Sequence, residues 1–205
     1  MVEQLQHLPS VMMHRFFFIS LFLVCALCHP SGSYAQTLKV DKTAYRSVYD
    51  LSLQCPVQCE WTILSTDLGS VKREPSWTFL SDIPSQLAMA THQDYTGTGY
   101  DRGHLCPAHD RSHSLTAMRS TFSMSNICPQ VPMVNRGAWK KTEDLCRALA
   151  VKHDSVAVVV VPVFLHRDTT FIGRHHLAVP HAFFKAAWKP ATDEVVGTWF
   201  IFNHQ

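Results

Sequence analysis

Strands, then one long helix, then strands again: that order of patterns along the chain predicts an α+β fold on a mostly antiparallel central sheet. Three stretches carry the reading. Val156 to Phe164 (VAVVVVPVF) is continuously apolar, as a central strand buried on both faces is. Between Asn135 and Ala150 the positions Trp139, Thr142, Cys146, Leu149 and Ala150 recur every three or four residues, with charged side chains between them, as on an amphipathic helix. Tyr49 to Leu53 and Glu60 to Ser65 alternate apolar and polar residues, as half-buried strands do.

The N-terminal segment precedes all of these. Phe16 to Leu27 is apolar except for Ser20, follows His14-Arg15 and leads to the small-x-small pattern Ser33-Tyr34-Ala35. Residues 1–35 therefore read as a secretory signal peptide, with Met12 or Met13 as alternative starts. The expected mature domain is 36–205, secreted or periplasmic, with no stable membrane association after cleavage. Five cysteines remain in it: Cys55, Cys59, Cys106, Cys128 and Cys146. In an oxidising compartment a Cys55–Cys59 loop and a Cys106–Cys128 bridge are both open. No CxxC pair supports a zinc site.

Within the domain, the stretch 55–59 reads as the turn between the first two strands and Thr91 to Gly99 as a loop. Leu105 to Ala117 reads as an irregular excursion and Thr121 to Asn126 as a short strand. Asn135 reads as the N-cap of the helix. His176 to Val179, Phe183 to Trp188 and Val195 to Phe202 complete the strands. Charge is uneven. Residues 101–152 carry twice as many basic as acidic side chains, which makes a local surface attractive to polyanions although the formal net charge is only +2.

The chemistry concentrates at Asp101-Arg102-Gly103-His104. An imidazole takes a proton from water near neutral pH, a guanidinium holds phosphate oxygens, and a glycine lets backbone approach a ligand. The helix adds Asn135, whose neutral oxygen can bind a hard cation, and Glu143 and Arg147, one turn apart on one face. A strand with His104, a return strand and a helix with Asn135 make a ββα unit that can place a base and a metal on opposite sides of one phosphate. Capping and metal binding compete for the Asn135 oxygen. The bland reading of Glu143 and Arg147 is a surface ion pair, and that of Asp101 a loop-structuring carboxylate.

Three ordered blocks, GYDRGH, SNICPQ (125–130) and NRGAWKKTED (135–144), resemble the DNA/RNA non-specific endonucleases, the ββα-metal or His-Me finger nucleases that include the endonuclease G type. The similarity runs from about residue 45 to 203 and is most specific over 98–147. The resemblance implies an endonuclease that hydrolyses DNA and RNA without strong sequence specificity, leaving 5′-phosphate ends. In that scheme His104 is the general base, Asn135 the direct ligand of a Mg²⁺ (or Mn²⁺), and Glu143 a carboxylate holding a metal-bound water. Arg147 clamps phosphate, Arg102 and Asn126 support the site, and Arg73 is a further phosphate-binding arginine. The alternatives are a catalytically silent nuclease-like module that binds nucleic acid or protein, and a phosphodiesterase of small nucleotides. Cys106 and Cys128 depart from the small residues usual in the family. The chain also ends where family members commonly continue, which leaves two readings of the domain open, a minimal version or a C-terminally truncated one.

Overall fold

A computed structural model describes residues 36–82, 90–165 and 168–204. The expected signal peptide lies outside them. The first strands form a meander of β1 (Thr37–Asp41), β2 (Arg46–Asp50) and β3 (Cys55–Leu64). The expected strand Tyr49 to Leu53 stops at Asp50, whose carboxylate accepts from the backbone of Ser52 and Leu53 and from the Ser52 hydroxyl. That carboxylate turns the chain through 51–54. Residues 55–59 are thus strand and not turn. Cys55, Val57 and Cys59 all point to the core at period two, a pattern masked by reading the cysteines as loop closers.

A separate hairpin follows, β4 (Asp101–His104) and β5 (Ile127–Gln130), with Gly103 opposite Cys128 and His104 opposite Ile127. The excursion between them holds a 3₁₀ turn at Ala108–Arg111 and helix α1 (Leu115–Ser120), capped by the Ser114 hydroxyl. Thr121 to Asn126 is not a strand. Thr121 and Ser123 donate their hydroxyls back to Met118 and Ser120, and such local bonds favour a turn over a ladder. The strand begins one residue later, at Ile127.

After a wide π turn at Val134–Trp139 comes helix α2 (Lys140–His153), then β6 (Ser155–Val163), the small hairpin β7 (Phe171–Ile172) and β8 (Leu177–Ala178), and finally β9 (Ala182–Trp188) and β10 (Val195–Phe202). The main sheet has the order β1-β2-β3-β6-β9-β10, every neighbouring pair antiparallel. The apolar run is its interior strand, as expected. Val156, Val158 and Val160 face the main core with Ile63, Cys59, Trp139, Cys146, Ala150 and Phe183, while Val159 and Val161 face the other side with Ala186. The α+β class holds, with the β4–β5 hairpin and α2 as the ββα unit. Trp139 in the π turn, fully buried, locks that unit to the main core.

The five cysteines are all free and buried. Cys55 and Cys59 lie four residues apart on one strand, about 13 Å along it, beyond the reach of a disulfide. Cys106 and Cys128 point their thiols to different carbonyls, those of Ala44 and Pro56.

Candidate active site

The hairpin and the helix start enclose a cavity of about 430 Å³ lined by Arg73, Phe79, Asp101, Arg102, His104, Pro107, Ala108, His109, Phe122, Asn135 and Glu143. Residues far apart in sequence meet there because β4 delivers His104 and Arg102 to one wall and the helical segment delivers Asn135 and Glu143 to another. The Trp139 indole N–H donates to the His104 carbonyl at 3.0 Å and ties the two walls together.

His104 is held edge-on against Phe122, ring centroids 4.8 Å apart, and tilted against Phe79 at 5.3 Å. Its Nε2 is buried and has no hydrogen-bond partner among the described residues. Burial, with the Arg73 charge nearby, pushes its pKa down to about 3, so the ring is neutral near pH 7 and its lone pair is available. Arg73 stacks over Phe122 at 4.9 Å. Arg102 donates from Nε and Nη2 to the His92 carbonyl and lies over the Tyr95 ring, which aims the rest of its guanidinium from a fixed base.

Asn135 is not the N-cap. The helical segment starts at Val134, and the Asn135 N–H already donates to the Val131 carbonyl. Its side chain is therefore free of capping duty. Nδ2 donates at 2.9 Å to Asp101 Oδ2, which leaves Oδ1 as the remaining polar atom of the amide. Asp101 also takes both Nε and Nη2 of Arg136. Although burial opposes it, these donors hold the Asp101 carboxyl below its usual range and keep it an acceptor. Asp101 is thus the group that orients Asn135. Glu143, half-buried, is pushed up to about 7, first by burial and then by the Asp110 charge, against the pull of Lys185.

Two sequence-selected residues do not reach the cavity. Asn126 is fully buried, and its amide is spent on both backbone groups of Cys106 and on the Thr121 carbonyl, so it shapes the chain after His104. Arg147 turns to Asp110 at 2.8 Å and to Asp144, not to Glu143, and its guanidinium is occupied by two carboxylates. Sequence spacing placed Glu143 and Arg147 on one face, but the distant Asp110 takes the cation. Phe79, Phe122, Asp110 and Lys185 were not anticipated, and His109, which reads from the sequence as solvated or packed, lines the cavity. Lys185 carried a signal in hindsight, a lone cation within the apolar stretch AFFKAAW. A second cavity of about 730 Å³, lined by Lys42, Arg46, Glu60, Asp67 and Arg111 among others, includes none of the selected residues.

The donor set suits a hard divalent cation: one neutral amide oxygen and one carboxylate on a single cavity, with room for water ligands. No cluster of three or more His, Cys, Asp or Glu able to hold a metal occurs among the described residues.

The family model for DNA/RNA non-specific endonucleases matches residues 30–204. The chain belongs to that family. Among its relatives, human mitochondrial endonuclease G is 42% identical over 47% of this chain and 35% of its own length. Mitochondrial nuclease 1 of Schizosaccharomyces pombe is 37% identical over 69% of this chain and 48% of its own. A nuclease of the cyanobacterium Nostoc is 32% identical over 66% and 52%. The chain thus spans about a third to a half of these relatives. Among solved structures, that of an EndoG/EndoGI complex superposes with a TM-score of 0.74 at 25% identity, covering 84% of this chain and 77% of that one.

These relatives correct the expected destination. Several of them are mitochondrial nucleases, which points to a mitochondrial and not a secreted or periplasmic setting, although the Nostoc relative is bacterial.

Proposed function

We propose that the protein hydrolyses phosphodiester bonds of both DNA and RNA with little sequence preference, using a divalent cation, Mg²⁺ or Mn²⁺. The observation that carries this reading is the buried Nε2 of His104, without a partner among the described residues, on the same cavity as Asn135, Glu143, Arg73 and Arg102. A neutral imidazole with a free lone pair, backed by aromatic walls, is suited to take a proton from an attacking water. Arg73 and Arg102 supply charge to phosphate oxygens, contacts that read backbone and not base edges.

Asn135 Oδ1, oriented by Asp101, would hold the cation directly, and Glu143 would hold one of its waters. The cation would supply charge neutralisation at the phosphate and the departing oxygen. The role of Asn126 in this reading is to place the chain following His104, and that of Arg147 to hold α2 against the Ala108–Arg111 turn.

Digestion of plasmid DNA and of RNA, with Mg²⁺ or with EDTA, tests the proposal. Both polymers should be cut only with the metal. His104→Ala should lower the rate at neutral pH by about 10²–10⁴-fold while leaving the fold intact. Undiminished cleavage by His104→Ala, or cleavage in EDTA, sinks it. Salt-sensitive binding of nucleic acid without turnover would instead mark a silent binding module.

A further inference from the structure

Lys185 is the least expected side chain in the core. It sits at the middle of β9, between Val160 and Trp199 on the neighbouring strands, and is 1% exposed. No carboxylate pairs with it among the described residues. Its single hydrogen bond there, at 2.9 Å, goes to the hydroxyl of Thr142. Its Nζ lies 3.6 Å from the centre of the Trp139 ring, a close cation–π contact. A buried ammonium with no directly paired carboxylate opposes folding, and an apolar side chain of the same length is usually tolerated at least as well. The arrangement around Lys185 therefore asks for a reason other than stability.

Its partners supply one. The Thr142 hydroxyl that accepts from Lys185 donates in turn to the Trp139 carbonyl at 2.8 Å. Lys185 thus grips Trp139 twice, across the ring face and through Thr142 to the backbone. The far edge of the same indole donates to the carbonyl of His104. Thr142 also precedes Glu143, whose charge interacts with that of Lys185, as do Asp110, Arg147 and Cys146. A single ammonium on the main sheet is joined to both walls of the cavity.

We propose that Lys185 is a positioning residue of the nuclease centre, holding Trp139 and Thr142 so that His104 on β4 stays in register with Asn135 and Glu143 on the helical segment. This rests on the nuclease reading of the cavity. Lys185 touches no part of the cavity itself and acts only through Trp139 and Thr142.

The test uses the whole chain and compares the parent with Lys185→Met and Lys185→Arg. Lys185→Met should melt no lower than the parent within a few degrees, because it removes an unpaired buried charge. Its kcat on plasmid DNA should fall on the order of 10- to 100-fold with KM changed less than about twofold, the signature of misplaced groups and not of lost binding. Lys185→Arg, which keeps a cation over the ring, should recover part of the loss. An independent readout is hydrogen exchange at the Trp139 indole N–H by NMR, its signal identified by its absence in Trp139→Phe. In Lys185→Met it should exchange about tenfold faster or more at unchanged global stability. An unchanged kcat, or an unchanged indole exchange rate, overturns the proposal. If Lys185→Met does not fold, Thr142→Val replaces it, since it breaks the relay without altering charge; the same two changes are expected and the same two failures are decisive. Should the parent itself fail to cut nucleic acid, the nuclease reading falls, while the exchange comparison still decides whether Lys185 holds Trp139.

Discussion

Asp101 began as a loop-structuring carboxylate and is the residue that gives Asn135 a direction. A side-chain amide can present either its oxygen or its nitrogen to a cavity, and the choice follows from what the other atom binds. Asp101, kept ionised by Arg136, offers only acceptors, so it takes Nδ2 and leaves Oδ1 over. Asp101→Asn replaces one acceptor with a donor and removes that choice. Divalent-cation affinity should then fall about 10- to 100-fold, as when other supports of ligating residues are lost. Titration with Mn²⁺ followed by electron paramagnetic resonance checks this, and an affinity equal to the parent's would rule out Asp101 as the orienting group. Arg136→Ala removes the exposed partner alone and should have the smaller effect.

At the scale of elements, the decisive joint lies between α2 and the Ala108–Arg111 turn. Asp110 is 1% exposed, and accepts from Arg147 and from the Trp61 indole. Removing one partner of such a buried pair strands the other charge. Arg147→Met should therefore cost about 3–5 kcal/mol of stability, and the double variant Asp110→Asn/Arg147→Met should regain most of it. Urea unfolding measures both. Nucleic-acid affinity in the double variant should stay near the parent's, and a large loss of affinity there would restore Arg147 as a phosphate clamp. The same joint marks the limit of what could be read from the chain. The later strands of the main sheet, β6, β9 and β10, the long helix and the meeting of His104 with Asn135 and Glu143 were legible, because each follows from a local period or a short motif, whereas β1 and the first half of β3 were not. Arg147's partner was not, since Asp110 comes from 37 residues away. The turn at 51–54 was hidden for a related reason: a single Asp50 carboxylate overrides an alternation that otherwise reads as strand.

For the molecule as a whole, the site is a region where the fold tolerates unfavourable charge states for the sake of chemistry. Glu143 is the clearest case, its pKa raised to about 7 from a usual value of 4.5. A group whose native pKa is raised holds its proton more tightly folded than unfolded. Its contribution to stability is therefore complete below about pH 4.5 and is lost as pH climbs through 7. His104 acts in the opposite sense. With its native pKa lowered to about 3, the unfolded chain takes up the proton first, and stability falls as pH drops below about 6.5. Glu143→Gln, which keeps the shape and cannot ionise, isolates the first effect. In EDTA it should match the parent below pH 4.5 and exceed it by about 1–3 kcal/mol at pH 8, a figure lowered to allow for the partial exposure of the carboxyl. Denaturant unfolding across pH 4–8 gives the comparison. Two parallel curves would mean that Glu143 ionises in the folded protein without penalty, and that the cavity is wetter than its aromatic walls suggest.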